Sequence, residues 1–381
     1  MHELDTPERK ALRESTRRFV EREVTGNLAD WERDGALPRE LHRKAADAGL
    51  LGVNFPEKVG GQGGDELDAL VAGEAWFEAG GSSGAHSALF THGIALPHMV
   101  AAGNEDLIER FVRPTLAGEK IGSLGITEPD AGSDVASIRT TAVRDGDDYV
   151  VNGAKMFITS GTRADFVTTA VRTGGPGFGG VSLLVIEAGT PGFQVSRRLD
   201  KMGWLCSDTA ELSFTDCRVP ARNLVGDENG GFGLIMQAFV SERIGVALHA
   251  YGVASRCLDL TVAYTKQRST FGKPLIDRQV VRHRLVEMFQ RVELARTYVR
   301  GVAVRHASGQ PQFAEVCVAK NAAVAACKYV VDQAVQLHGG MGYMRESEVE
   351  RHYRDARILG IGGGADEIMS DLAAKLLGYH A

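Results

Sequence analysis

At 381 residues, 44% of them hydrophobic and 24% charged, with a net charge of −6, the chain has the make-up of an ordinary globular protein with room for two or three cores. A mildly acidic balance without a Lys/Arg block argues against a nucleic-acid surface. Cys206, Cys217, Cys257, Cys317 and Cys327 never lie within four residues of one another, which speaks against a zinc or redox pair and for reduced thiols in a cytoplasmic setting.

The first residues are acidic and lead into a charged helix, unlike a signal or transit peptide. No run reaches the roughly 18 apolar residues of a bilayer span, so no membrane association is expected. Thr6-Pro7 is a helix start, a capping hydroxyl before a proline at the first helical position. Leu12, Phe19, Val20 and Val24 follow at helical spacing. Leu37-Pro38 opens a second helix that stops at Gly49, and helical segments recur around 66–79 and 86–101. Residues 1–120 thus read as an N-terminal α-helical domain.

From Ile121 the period shortens. Asp145-Gly146 and Asn152-Gly153 sit between β-prone runs as hairpin punctuation. Runs at 167–171, 181–186, 193–195 and 209–214 continue the pattern, which predicts a small antiparallel β-domain over 121–228. At its entrance lies Gly125–Ser137 (GITEPDAGSDVAS), where hydroxyls and glycines allow close backbone approach to an anionic or carbonyl-rich ligand. On composition alone a polar turn between strands is the favoured explanation. Phe157-Ile158-Thr159 is a second segment suited to a flat ring, with core packing as its plainer explanation.

The helical period returns over 231–266, 275–308, 312–337 and a broken piece at 346–378, a four-helix bundle spanning 229–381. Between Gly230 and Ser255 the first helix carries only Glu242 and Arg243 as formal charges, among Leu234, Ile235, Phe239, Val240 and Ile244. A carboxylate there is costly to desolvate unless paired or shifted in pKa. It is either a structural ion pair or a general base tuned by burial. Lys266–Lys273 and Gln336–Tyr343 are glycine-bearing links, either helix caps or phosphate-approach loops.

This order of parts, with Gly125–Ser137 and Gln336-Leu-His-Gly-Gly-Met-Gly-Tyr343 continued by Glu346, Arg351 and Asp355, resembles the acyl-CoA dehydrogenases over nearly the whole chain. The resemblance implies bound FAD and oxidation of a saturated acyl-CoA to its trans-2-enoyl-CoA, with an electron-transfer flavoprotein as acceptor. It places Leu124, Ile126, Thr127, Gly132 and Ser133, with Phe157, Ile158 and Thr159, along the flavin. Arg268, Thr270, Phe271, Arg278, Gln279, Gln336, Leu337, Gly339 and Gly340 would reach the FAD of a neighbouring subunit, which requires at least a dimer, with tetramers usual. Ala365 and Glu367 would also touch FAD, Ala365 replacing a usual threonine. Ser133, Val240, Arg243, Gly363 and Gly364 would meet the substrate.

One departure matters. Many relatives carry their base as a loop glutamate where this chain has Gly363. Ser241-Glu242-Arg243 instead resembles the isovaleryl-CoA and long-chain branches, whose base is on the first bundle helix. Glu242 is therefore the expected base, and a medium- or long-chain or branched acyl group the expected substrate. An acyl-carrier-protein thioester, a flavin oxidase, and a non-catalytic or nucleic-acid-associated relative are the alternatives.

Overall fold

The computed structural model describes residues 2–379. Helix α1 (Pro7–Phe19) starts where Thr6 accepts a hydrogen bond from the Arg9 amide. It is followed by α2 (Leu28–Asp34), α3 (Glu40–Asp47) and α4 (Glu66–Glu78). The last begins at a reciprocal cap between Asp65 and Asp68. Then come α5 (Ser83–Leu89) and the short turns α6 (His92–Ala95), α7 (Pro97–Ala102), α8 (Glu105–Leu107) and α9 (Arg113–Leu116). The single helix expected over 86–101 is therefore divided, with Pro97 opening a new segment because its missing N–H cannot continue the old one.

The sheet comprises β1 (Gly122–Gly125), β2 (Thr141–Asp145), β3 (Asp148–Thr159), β4 (Phe166–Arg172), β5 (Val181–Glu187), β6 (Phe193–Arg198), β7 (Thr209–Pro220) and β8 (Leu224–Val225). Their order is β6-β7-β3-β2-β4-β5-β8, with β1 beside β4. Most pairings are antiparallel, as expected, but β1 and β2 each run parallel to β4. The chain between β1 and β4 is long enough to make that crossover. Asp145-Gly146 forms the β2–β3 turn, with Gly146 at φ +62°. Asn152-Gly153 does not turn the chain. It is an irregularity inside β3, where Gly153 (φ +149°) passes so close to Thr140 that a Cβ would stand 2.5 Å from its Oγ1.

Helices α10 (Gly231–Gln267), α11 (Gln279–Ala307) and α12 (Phe313–His338) are joined by α13 (Glu348–Ala356) and α14 (Asp366–Leu376). Between α10 and α11 a small hairpin pairs β9 (Ser269–Thr270) with β10 (Lys273–Pro274). The two helical regions share one core: Phe19, Trp31, Trp76 and Phe77 belong to the same buried cluster as Tyr251, Val299 and Val330. A second cluster joins Phe111, Phe166 and Ile235, so α10 touches both cores. By length and composition alone α10 could cross a membrane; here it is the helix around which α4, α11 and α12 pack.

Candidate functional site

Glu242 lies in the fourth turn of α10. Its carboxylate makes no ion pair or hydrogen bond among the described residues, so pairing with Arg243 does not explain it. Arg243 instead lies over the Phe239 ring at 5.6 Å, its Nε buried without a partner among the described residues. Burial pushes the Glu242 carboxyl up to about 7, although Arg243 and Lys320 pull it down. A second carboxyl, Glu66, is also raised by burial to about 7. Its Oε2 lies 3.3 Å from His306 Nε2, while its Oε1 is buried without a partner among the described residues.

The loop after α13 completes the surroundings of Glu242. A Cβ on Gly363 would stand 3.8 Å from Glu242 Oε1 and 2.9 Å from Val246 Cγ2. Helix and loop thus converge on one spot. Gly363 (φ +63°) and Gly364 (φ +95°) hold left-handed backbone that disfavours any side chain. Their N–H groups have no partner among the described residues. Lys320 Nζ, fully buried, donates to Gly364 O at 2.6 Å, and Lys328 Nζ lies 2.5 Å from Asp366 Oδ2. Asn321 Nδ2 donates to Asp366 O at 2.7 Å. Sequence reading missed these clamps, since a lysine in a helix pattern normally reads as a solvated face.

Across the second core lies the loop 125–137. Its Glu128 is almost fully buried and accepts from the amides of Arg139 (2.6 Å) and Thr140 (2.9 Å). Glu128 also meets Lys155 Nζ at 2.7 Å, and the same ammonium donates to Ile126 O at 3.0 Å. Lys155 holds the Glu128 carboxyl below its ordinary range, while burial lowers Lys155 itself to about 8. Met156 N donates to Thr127 O at 2.8 Å, which brings the two hydroxyl-bearing segments side by side. There Phe157 is 64% exposed on left-handed backbone (φ +63°), an apolar ring held outward at some conformational cost. The hydroxyls of Thr127, Ser133 and Thr159 have no partner among the described residues. Gly132 and Ser133 are exposed and Leu124 half-buried beside them.

Other expected residues gather at the opposite end of α10. Tyr264 stacks on His338 and donates to its carbonyl, which ties Gln336–Gly340 to the β9–β10 hairpin region. Gly339 ends α12 at φ +60° and Gly340 is exposed. In the hairpin, Arg278 donates to Thr270 O at 2.6 Å and its guanidinium lies 5.4 Å from the Phe271 ring. Phe271 is 95% exposed at φ +50°, with Arg268 and Gln279 exposed nearby. Arg268 follows Glu242 by 26 residues, about 39 Å at 1.5 Å per residue. One chain therefore does not bring this group to Glu242.

Four expected side-chain roles need correction. Val240 is 4% exposed and packs in the main core, because it points away from the Glu242 face of α10, so it offers nothing to a substrate. Ile158 packs inside the sheet opposite Ala210, and Ile126 belongs to the second core; both can contribute backbone only. Leu337 packs against the main core beside exposed Gln336. Ala365 precedes α14 without a capping side chain, and Glu367 is exposed in its first turn.

Comparison with known proteins assigns these features together. Residues 6–119, 123–217 and 229–378 match the N-terminal, middle and C-terminal domains of acyl-CoA dehydrogenase in turn. The chain belongs to the acyl-CoA dehydrogenase family. It is 39% identical over 373 residues to the long-chain specific mitochondrial acyl-CoA dehydrogenase of Sus scrofa, covering 97% of this chain and 86% of that one. A crystal structure of a probable acyl-CoA dehydrogenase from Mycobacterium abscessus superposes with a TM-score of 0.97 at 64% identity, covering 98% of this chain and 99% of that one. A Mycobacterium smegmatis glutaryl-CoA dehydrogenase, solved with FADH2, superposes at 0.93 with 26% identity over 100% of this chain and 97% of that one. Members of this family are FAD flavoproteins and oxidoreductases of fatty-acid metabolism, with the three-part helix–sheet–helix architecture described above.

Proposed function

We propose that this acyl-CoA dehydrogenase removes the α-proton of a saturated medium- or long-chain or branched acyl-CoA with Glu242 and yields the trans-2-enoyl-CoA. The observation that carries the assignment is an unpaired carboxylate, raised to about 7, standing 3.8 Å from where a Gly363 side chain would begin. A thioester α-C–H is a weak acid, so abstraction needs a base of high proton affinity in a site that excludes water. The free N–H groups of Gly363 and Gly364 suit the thioester oxygen as charge develops on it, and preorganised donors at such a point are a major catalytic term.

The segments at 124–133 and 157–159 fit FAD, since three unpartnered hydroxyls and an outward aromatic ring suit a flat, polar heterocycle. FAD held by these residues would supply the hydride acceptor for the β-hydrogen. Thr127, Ser133 and Thr159 would hydrogen-bond it and Phe157 would pack on it, while Glu128 and Lys155 hold the loop in shape. An electron-transfer flavoprotein is the expected acceptor.

The distant group at Arg268–Gln279 and Gln336–Gly340 supports a homo-oligomer in which each chain completes its neighbour's cofactor site. A groove of about 570 Å³ between α10 and α11, lined by Leu258, Val262, Leu285, Val286 and Phe289, supplies apolar surface for a second copy. Phe271→Ala is expected to lower the flavin retained after gel filtration and leave the thermal midpoint of the apoprotein unchanged. Unchanged flavin content would remove the hairpin from the cofactor site.

Anaerobic titration with medium-chain, long-chain and branched acyl-CoAs tests the reaction directly, with bleaching of the flavin as its readout. Restoring a loop base by Gly363→Glu in a Glu242→Gln background is expected to recover no bleaching. The new Cβ would press on Val246 Cγ2 from a left-handed backbone position. Recovery would show that the loop can yield.

A further inference from the structure

Two turns beyond Glu242 on α10 lies His249, seven residues on, about 10 Å along the axis and within about 20° of the same face. Val246, between them, is the side chain that a Cβ built on Gly363 would meet first, at 2.9 Å. His249 Nε2 lies 2.9 Å from His86 Nδ1, and His249 Nδ1 lies 3.1 Å from Ser83 Oγ. Trp204 Nε1 donates to the same Ser83 oxygen at 3.1 Å.

The direction of this chain follows from its members. An indole nitrogen can only donate, so Ser83 Oγ accepts from Trp204. Among the described residues the sole remaining partner for the serine hydroxyl is His249 Nδ1, which therefore accepts. A neutral His249 then carries its proton on Nε2 and gives it to His86 Nδ1, which leaves the His86 proton on Nε2. Burial holds both rings neutral, His249 at about 4 and His86 well below its ordinary value. The aromatic rings of Trp76, Phe77 and Phe90 surround His86, with centroids 4.6–5.7 Å away. Its Nε2 has no partner among the described residues. Unlike the sealed ring nitrogens of His42 and His98, it opens onto space, for His86 keeps partial exposure.

We infer that an acyl group whose thioester lies between Glu242 and Gly363 extends along α10 to His86 and bears there an oxygen function remote from the thioester, a hydroxyl or carbonyl that accepts the His86 Nε2–H. This rests on the acyl-CoA reading above and names its substrate class. A plain hydrocarbon tail would strip water from that N–H and return nothing, whereas an oxygenated one satisfies it. His86 is the specificity-determining residue, and Ser83, Trp204 and His249 are positioning residues that fix its tautomer.

The test compares acyl-CoAs of equal chain length with and without a distal hydroxyl, by flavin bleaching and kcat/KM, in wild type, His86→Leu and His86→Gln. In wild type the hydroxylated member is expected to be better by about tenfold or more. His86→Leu is expected to lose or reverse that preference, and His86→Gln, which keeps a donor, to retain it. Bleaching with no preference in wild type, or with the same ratio in the leucine variant, overturns this inference and leaves the general reaction standing. Bleaching by no acyl-CoA of either kind overturns both. Should the leucine variant not fold, the wild-type preference alone decides.

Discussion

Glu242→Gln abolishes flavin bleaching by acyl-CoA while leaving FAD bound, a loss of about a hundred- to ten-thousandfold in the reductive rate. The glutamine keeps the shape of the side chain and removes only its capacity to take a proton. In the unmodified protein the rate rises with pH through a midpoint of about 7, because the base works only when ionised and burial places its carboxyl there. The same substitution stabilises the fold. A carboxyl whose folded pKa is raised contributes stability below its unfolded pKa of 4.5 and loses it as pH rises through about 7. Glu242→Gln therefore raises the thermal midpoint at pH 8 and not at pH 5. Activity and stability move in opposite directions, as expected where a catalytic group is held in an environment that disfavours its working form. Undiminished bleaching in the glutamine variant would transfer the role to another carboxylate, with Glu66 the first to examine.

Glu242 was legible in the sequence because its surroundings are apolar along one helix, and helical period is a local property. The strands of the sheet were legible for the same reason, down to the Asp145-Gly146 turn. Asn152-Gly153 misled because its composition suits a turn, while the demand it meets is tertiary: a close pass by Thr140 that only glycine permits. Val240 and Ile158 misled in another way. A motif fixes positions along the chain, but which side of the helix or strand faces the ligand depends on what packs against the other side. The shared core of the two helical regions left no trace in periodicity, since Trp76 and Tyr251 are 175 residues apart. Nor did the hydrogen-bonded chain from Trp204 to His86, which draws on three separate segments.

The buried pair beneath the loop 125–137 gives the second large effect. Lys155→Met leaves Glu128 buried and uncompensated, and breaking such a pair from one side costs about 3–5 kcal/mol. Urea unfolding should register that loss. FAD affinity should fall with it, because the same ammonium holds Ile126 O and the same carboxylate holds the amides of Arg139 and Thr140. Adding Glu128→Gln to Lys155→Met removes the stranded charge and restores much of the stability, so the double variant is more stable than the sum of the single losses predicts. It should not restore FAD affinity to the same extent. The neutral pair can fill the cavity, yet it cannot hold Ile126 O and the two amides that follow the loop with charge-assisted bonds. Strictly additive losses in stability would mean that the two charges act on the fold separately. Full recovery of FAD affinity would mean that the loop takes its shape from packing alone, with Lys155 and Glu128 merely accommodated beneath it.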